Sequence, residues 1–280
     1  MMNVGEEFSE YHKKLLGKDY DSFLDALSIR QNRWSLRINT IKSSGKDVSS
    51  LLKERNVDCA EIPWCPDGLW VSDEDLNWPE HQLGYYYVQD ASSMIPSLVL
   101  DPRPGETVLD VCAAPGSKTT HIGQLMKNKG LLVANDQDYR RIRALVINLQ
   151  RCGVSNCAIT NLDGIGIESK LKTKFDKVLV DAPCSSIGLA QRNPWVLSDW
   201  TIEKSQKLGE IQKMMISSAY KLLKPGGTLV YSTCTTALEE NEYVVEYLLE
   251  NENDASIERP ELVSHFRAGF SKAGNSCIRV

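Results

Sequence analysis

The sequence contains no apolar run approaching the roughly 20 residues that a membrane-spanning helix needs. Its opening stretch, MMNVGEEFSEYHKK, lacks the basic-then-apolar order of a secretory signal. Internal repeats and low-complexity tracts are also missing, which argues against solenoids and disordered linkers. There is no strong positive charge: 32 Lys+Arg stand against 37 Asp+Glu, a formal net charge of −5. A broad basic footprint for nucleic acid is therefore absent, although a net value says nothing of a local basic face. Zinc-knuckle spacing is absent too, since Cys59/Cys65 and Cys152/Cys157 are not two residues apart and the four histidines are scattered, so no metal site is expected. Eight cysteines without an export signal argue against a disulfide framework, and most of them are expected to be small buried apolar residues. Neither GxGxxG nor a Walker lysine pattern occurs, which disfavours NAD and ATP as ligands.

What is present is the composition of an ordinary globular protein, 42% hydrophobic and 25% charged over 280 residues. That length suits one large domain, or one domain plus a smaller one. The expectation is a cytoplasmic protein, with nucleus and organelles left open, no membrane contact and no obligate protein partner. Residues 1–100 are acidic, with 10 Lys+Arg against 16 Asp+Glu, whereas residues 101–280 hold 22 against 21. The first part shows short elements. Residues 34–41 (WSLRINTI) read as a strand, 47–55 (DVSSLLKER) as a short helix, 57–63 as a second strand, and WCPDGLWV as a turn entering a third. From about residue 105 the pattern alternates. Strands are expected at 107–112, 131–135, 157–161, 177–181 and 228–232, and helices at 117–129, 137–151, 200–223 and 239–250, with KPGG (224–227) as a helix stop. Continuous apolar strands alternating with helices predict an α/β fold, a doubly wound, mostly parallel sheet, beside a small N-terminal α+β module. The division is expected at 1–98 and 99–280.

In such sheets ligands sit beyond the carboxyl ends of the strands. The segment VLDVCAAPGSKTT (108–120) runs strand, small-residue loop, helix. Ala113, Ala114 and Gly116 let a ligand approach the backbone, and the helix N-terminus behind them offers free N–H groups. Asp136 ends the next strand, where a carboxylate is placed to bind the two hydroxyls of a ribose. Two cysteine motifs complete the edge. DAPCSS (181–186) puts Asp181 and Cys184 at one strand end, and YSTCTTALEENE (231–242) puts Cys234 at another. A single strand-end cysteine is ordinarily packing. Two of them beside a nucleoside-type loop point to catalysis.

The ordered set VCAAPGSKTTH, AND followed by Arg141, DAPCSS and YSTCTTALEENE resembles the Sun-type RNA (cytosine-5) methyltransferases across nearly the whole chain. YYVQDASSMIPSLVL (86–100) is similar to that family's lead-in to the cofactor loop, and LRINTIK (36–42) to the strand opening its RNA-binding module. FSEYHKKLL and FLDAL are similar to its tRNA-modifying branch. The resemblance implies a Rossmann-like methyltransferase fold, S-adenosylmethionine as cofactor and RNA as partner. Together with the absence of an added RNA-binding domain, it favours tRNA. It implies Cys234 as the thiolate that adds to cytosine carbon 6, Cys184 as the second cysteine that assists release, and Asp181 on the N3/N4 edge of the base. It assigns the cofactor to Cys112, Ala113, Ala114, Pro115, Gly116, Ser117 and Lys118, with Asp136 on the ribose, Arg141 nearby, Asp163 on the adenine amine, and Asp181 at the shared edge. Cys234 needs a depressed pKa, for which Lys118 and the cationic cofactor are expected sources of positive field. Ser186 stands where many members carry glycine, and its hydroxyl is expected to be tolerated. The family usually continues past an arginine, here Arg279, into a Gly-Phe-Phe segment. A chain ending at Val280 is expected either to lack the last strands or to be a fragment.

Three other readings stay open on the sequence. A DNA cytosine-5 methyltransferase would use the Pro-Cys cysteine, Cys184, as nucleophile, which the TCTTALEENE motif disfavours. The substrate could be rRNA. A non-catalytic RNA-binding assembly factor could share the fold, but it would have no need of both cysteines, Asp181 and the full cofactor loop.

Overall fold

A computed structural model describes residues 3–28, 34–72 and 75–280. The chain opens with α1 (Glu6–Leu16) and α2 (Tyr20–Ser28), then forms β1 (Trp34–Ile38), α3 (Gly45–Glu54), β2 (Cys59–Ile62) and β3 (Cys65–Val71). A short α4 (Pro79–Gln82) and β4 (Tyr86–Val88) follow. The four strands make an antiparallel sheet in the order β2-β3-β1-β4. Its apolar face, with Leu36, Ile38 and Val71, packs with Val48 and Leu52 of α3. Helix α3 starts where the sequence supplies a reciprocal cap. Asp47 N–H donates to Ser44 Oγ at 3.3 Å, and Ser44 N–H donates to Asp47 Oδ2 at 2.8 Å. Strand β4 is a fourth strand beyond the three expected, and β1 stops at Ile38 because Asn39–Lys42 turns away.

The larger unit contains α5 (Ala91–Leu100), β5 (Thr107–Asp110), α6 (Ser117–Leu125), β6 (Leu131–Asn135), α7 (Tyr139–Cys152) and β7 (Cys157–Thr160). It continues through β8 (Phe175–Asp181), α8 (Val196–Asp199), α9 (Ile202–Tyr220), β9 (Leu223–Ser232) and α10 (Glu242–Asn251). The sheet order is β7-β6-β5-β8-β9, every pair parallel. Helices cover both faces, which is why the central strands read as unbroken apolar runs: Val108, Leu109, Val178, Leu179 and Val180 are all buried. The KPGG segment does not separate helix from strand. It lies inside β9, whose pairing with β8 shifts register between Phe175 and Lys177. The chain runs from β5 to β6 on one side and returns to β8 on the other, so the topological switch lies between β5 and β8.

Three features tie the units together. The residue 98/99 division falls inside α5, whose Met94 packs with Ile62 and Cys65 of the N-terminal sheet and whose Leu100 packs with Val108 and Leu179 of the parallel one. Arg37 of β1, 1% exposed, donates to Gln89 at 2.9 Å, to Thr120 of α6 at 2.9 Å and to Gln124 of α6. At Gly84 the backbones approach so closely that a Cβ would stand 1.9 Å from the Arg151 carbonyl oxygen. Helices α1 and α2, grouped with the N-terminal module on sequence grounds, instead bury Phe8 and Leu27 against Ile187, Leu197, Trp200 and Ala237 of the larger unit.

Candidate active site

Strand β5 delivers Val111 to Gly116 to the carboxyl edge of the sheet. Gly116 sits at φ +108, a conformation side chains avoid, and a Cβ there would meet Leu145 at 3.0 Å. The loop is pinned to the next strand: Ala113 N–H donates to the Asn135 carbonyl at 2.7 Å, and Ala114 N–H donates to Asp136 Oδ2 at 3.1 Å. Ser117 opens α6. Pro115 follows a cis peptide bond and is exposed. The Asp136 side chain is 2% exposed, takes the Asp138 N–H at 2.9 Å on Oδ1 and pairs with Arg141 at 3.3 Å. Arg141 also donates to the Ala114 carbonyl, so it braces both the loop and the acid. Arg140 of the same helix turns away to an exposed pairing with Asp138.

Asp136, Arg141, Val111, Cys112 and Met215 line one open crevice of about 200 Å³. Gly164 lines it, whereas Asp163 beside it is exposed and holds its own turn by accepting the Ile165 N–H at 2.9 Å. Burial pushes the Cys112 thiol well up, and its sulfur lies 3.5 Å from Met215 Sδ. It is therefore an apolar wall and not a nucleophile. The donor set suits an adenosyl group. Asp136 retains acceptor capacity for a diol and the walls at Val111, Cys112 and Met215 suit a purine, while of the 112–118 loop only Cys112 lines the crevice.

Strand β8 ends at Asp181, which also lines the crevice. Lys118 of α6 pairs with its Oδ2 at 2.6 Å, and Ser232, the last residue of β9, donates to its Oδ1 at 2.7 Å. Asp181 is thus held by two neighbouring elements while its side chain keeps 30% of its surface open. Ser232 was not singled out from the sequence. Its position opposite Asp181 in the parallel register is the signal that could have found it.

Cys184 and Cys234 also line the crevice, their sulfurs 3.1 Å apart. The Cys234 N–H donates to Cys184 Sγ at 3.2 Å, and Ser186 Oγ lies 3.7 Å from Cys234 Sγ. Hydrogen bonding from the Cys184 thiol pulls the Cys234 pKa down to about 7, against burial, with help from Ser186 and then Lys118. Cys184 moves the opposite way, well above its ordinary value, because it serves as the donor in that pair and is half-buried and partly desolvated. The main source of the depression is therefore the second cysteine, with Lys118 a smaller one. Ser186, at φ +60, also donates to the Cys184 carbonyl at 3.1 Å, so its hydroxyl belongs to the cysteine cluster.

The Cys234 loop is clasped from outside. His12 of α1 accepts from Thr236 at 2.8 Å and donates to the Phe8 carbonyl at 2.9 Å. Tyr11 donates to Glu239 at 2.6 Å and accepts the Leu238 N–H at 2.9 Å. Arg279 donates to the Thr236 carbonyl at 2.9 Å and pairs with Glu242.

Residues 97–277 match the family described as 16S rRNA methyltransferase RsmB/F, and residues 4–91 match the N-terminal domain of 16S rRNA methyltransferase RsmF. A tRNA (cytosine(49)-C(5))-methyltransferase of Pyrococcus abyssi is 42% identical over 270 residues, covering 93% of this chain and 86% of that protein. Ribosomal RNA small subunit methyltransferase F of Vibrio cholerae is 42% identical over 233 residues, covering 81% of this chain. The chain spans about half the length of that relative, 49%. A crystal structure of a methyltransferase homologue from Pyrococcus horikoshii superposes with a TM-score of 0.82 at 32% identity, covering 98% of this chain and 89% of that one. Among the described residues no helix is long and apolar enough to cross a membrane. The chain belongs to the RsmB/F, or Sun-type, family of RNA (cytosine-5) methyltransferases, whose cofactor is S-adenosylmethionine.

Proposed function

We propose that this chain methylates carbon 5 of cytosine in tRNA, with Cys234 as the nucleophile. The observation that carries the reading is a shared crevice: Cys234, Cys184, Asp181 and Asp136 line one cavity. S-Adenosylmethionine supplies an electrophilic methyl on a sulfonium. The residues suited to hold it are the 112–118 loop, with Asp136 on the ribose, Arg141 bracing that acid, and Asp163 at the rim for the adenine amine.

Carbon 5 of cytosine is a poor nucleophile. Addition of the Cys234 thiolate to carbon 6 pushes the electrons of the 5,6 double bond towards carbon 5, making it the nucleophile for the methyl that the bound cofactor would supply; the cofactor's sulfur would keep the S–C pair as a thioether. Asp181, fixed by Lys118 and Ser232, serves the N3/N4 edge and stabilises the adduct protonated there. A base, here water, then removes the carbon 5 proton. The C5–H pair restores the double bond, and the C6–S pair leaves with Cys234. Cys184, 3.1 Å from the departing sulfur, assists this release.

The tRNA assignment rests on the Pyrococcus abyssi relative, which matches along 86% of its own length. The match of residues 4–91 to the RsmF N-terminal domain favours rRNA as a second reading. Bisulfite sequencing of total RNA incubated with the protein and S-adenosylmethionine tests both. New 5-methylcytosine in tRNA, absent with Cys234→Ala, is expected. Signal confined to small-subunit rRNA favours the second reading, and no new 5-methylcytosine overturns both.

A further inference from the structure

Glu240 follows Cys234 by six positions and lies in the turn Leu238–Glu240. In the sequence it looks like one of several acids at a solvated helix start. In the structure it is 0% exposed. Burying a carboxylate is costly unless donors surround it, and an apolar side chain would fill the space at lower cost. Three donors converge on Glu240. Oε2 accepts the Ser185 backbone N–H at 2.8 Å and a Gln212 N–H at 3.2 Å, and Oε1 accepts the Ser205 hydroxyl at 2.8 Å.

The first donor is the informative one. Ser185 is the residue directly after Cys184, so Glu240 grips the Cys184 loop from within the Cys234 loop. Gln212 extends the grip, since the same amide nitrogen donates to the Pro183 carbonyl at 2.8 Å on the other side of Cys184. Glu240 is itself fixed, because its backbone carbonyl accepts the Tyr231 hydroxyl at 2.6 Å. Two further ties run in parallel: Gly188 N–H to the Cys234 carbonyl at 2.8 Å, and a Ser185 Oγ–Thr235 Oγ1 hydrogen bond at 2.7 Å.

We propose that Glu240 is a positioning residue for the reaction, holding the Cys184 loop against the Cys234 loop so that one thiol stays within hydrogen-bonding reach of the other. The inference rests on the reading of Cys234 as nucleophile. Glu240 touches neither cofactor nor base. It acts through Ser185 N–H on Cys184, and through Cys184 on the ionisation of Cys234.

The test compares wild type with Glu240→Gln, with Gln212→Met as a second variant and the exposed Glu250→Gln as a control. Alkylation of Cys234 by iodoacetamide is followed by peptide mass spectrometry across pH, without RNA. In Glu240→Gln the negative charge is lost and one neutral amide oxygen is left to accept from Ser185 N–H and Gln212, so the charge-assisted grip on the Cys184 loop weakens. The alkylation midpoint of Cys234 is expected to rise by about one pH unit, as the donated hydrogen bond weakens. A misplacement of about 1 Å can cost about a hundredfold in rate. The turnover number of Glu240→Gln is accordingly expected to fall at least about tenfold, with KM for RNA and Kd for S-adenosylmethionine within about twofold of wild type. Gln212→Met shifts the midpoint in the same direction by less, and Glu250→Gln matches wild type. An unshifted Cys234 midpoint in both Glu240→Gln and Gln212→Met overturns the proposal. So does a rate loss accompanied by an equal loss of cofactor affinity and melting temperature. The nucleophile reading fails by a different sign: methylation retained by Cys234→Ala, whatever the alkylation midpoints.

Discussion

Cys184 Sγ lies 3.1 Å from Cys234 Sγ and also accepts the Cys234 backbone N–H at 3.2 Å. The two sulfurs share one local field yet are driven apart in acidity, Cys234 down to about 7 and Cys184 up. Pairs of like groups pushed in opposite directions mark a division of roles, one ionised and one protonated. The direction of the split makes Cys234 the more acidic thiol of the pair and Cys184 the one that holds its proton longer.

The first consequence is a pH dependence. Single-turnover methylation is expected to rise with pH and level off above about 7, following the thiolate fraction of Cys234. In Cys184→Ala the main hydrogen-bond donor is gone, so the limb for adduct formation moves up towards the ordinary thiol value of 9.0. Rapid-quench measurement of adduct formation across pH checks this. An unmoved limb would assign the depression to Ser186 and Lys118 instead.

Lys118 offers a second prediction. Lys118→Met removes the 2.6 Å partner of Asp181 and leaves the acid held by Ser232 alone. Turnover is expected to fall about a hundredfold, the scale of a lost preorganised charge at a reacting site. Lys118→Arg should recover only part of it, because the fork geometry differs from a point charge. Steady-state methylation of transcript RNA provides the measurement.

The cofactor side makes a separate claim. Asp136→Ala removes the acceptor for the Ala114 and Asp138 N–H groups and the partner of Arg141. S-Adenosylmethionine affinity is expected to fall at least about tenfold, since buried donors are left unpaired. RNA affinity should stay the same. Calorimetric titration of each ligand separates the two effects.

His12 predicts how acid affects the fold. Burial pulls its pKa down to about 4 from an ordinary 6.5. Its Nδ1–H donates to a carbonyl and its Nε2 accepts from Thr236, so a second proton has no place. Between pH 4 and 6.5 the unfolded chain binds a proton that the native chain does not, so stability falls as pH is lowered across that window, by up to about 3 kcal/mol. Urea midpoints at a series of pH values measure this, and His12→Gln should flatten the profile there.

The sheet and its working edge were legible in the residues. Apolar runs such as VLVD at 178–181 and small-residue loops such as CAAPG mark strands and ligand edges through period and composition, and these survive folding unchanged. The crevice lining at Cys112, Asp136, Arg141, Asp181, Cys184 and Cys234 follows from strand ends sharing one edge. What could not be read depends on contacts between distant segments. Nothing in FSEYHKKLL says that Tyr11 and His12 reach the Cys234 loop, more than 220 positions away. Glu240 looks like its neighbour Glu239, and only the folded chain distinguishes the buried acid from the partly exposed one. Strand β4 is only three residues long, too short to show a period.

Under the proposed mechanism Cys234 carries the covalent bond to the base. Mass spectrometry of the Cys184→Ala variant, incubated with RNA and S-adenosylmethionine, tests it most directly. A nucleotide adduct is expected on the Cys234 peptide, abolished in the double variant Cys184→Ala/Cys234→Ala. An adduct on Cys184 in the Cys234→Ala protein, with methylation intact, would contradict it.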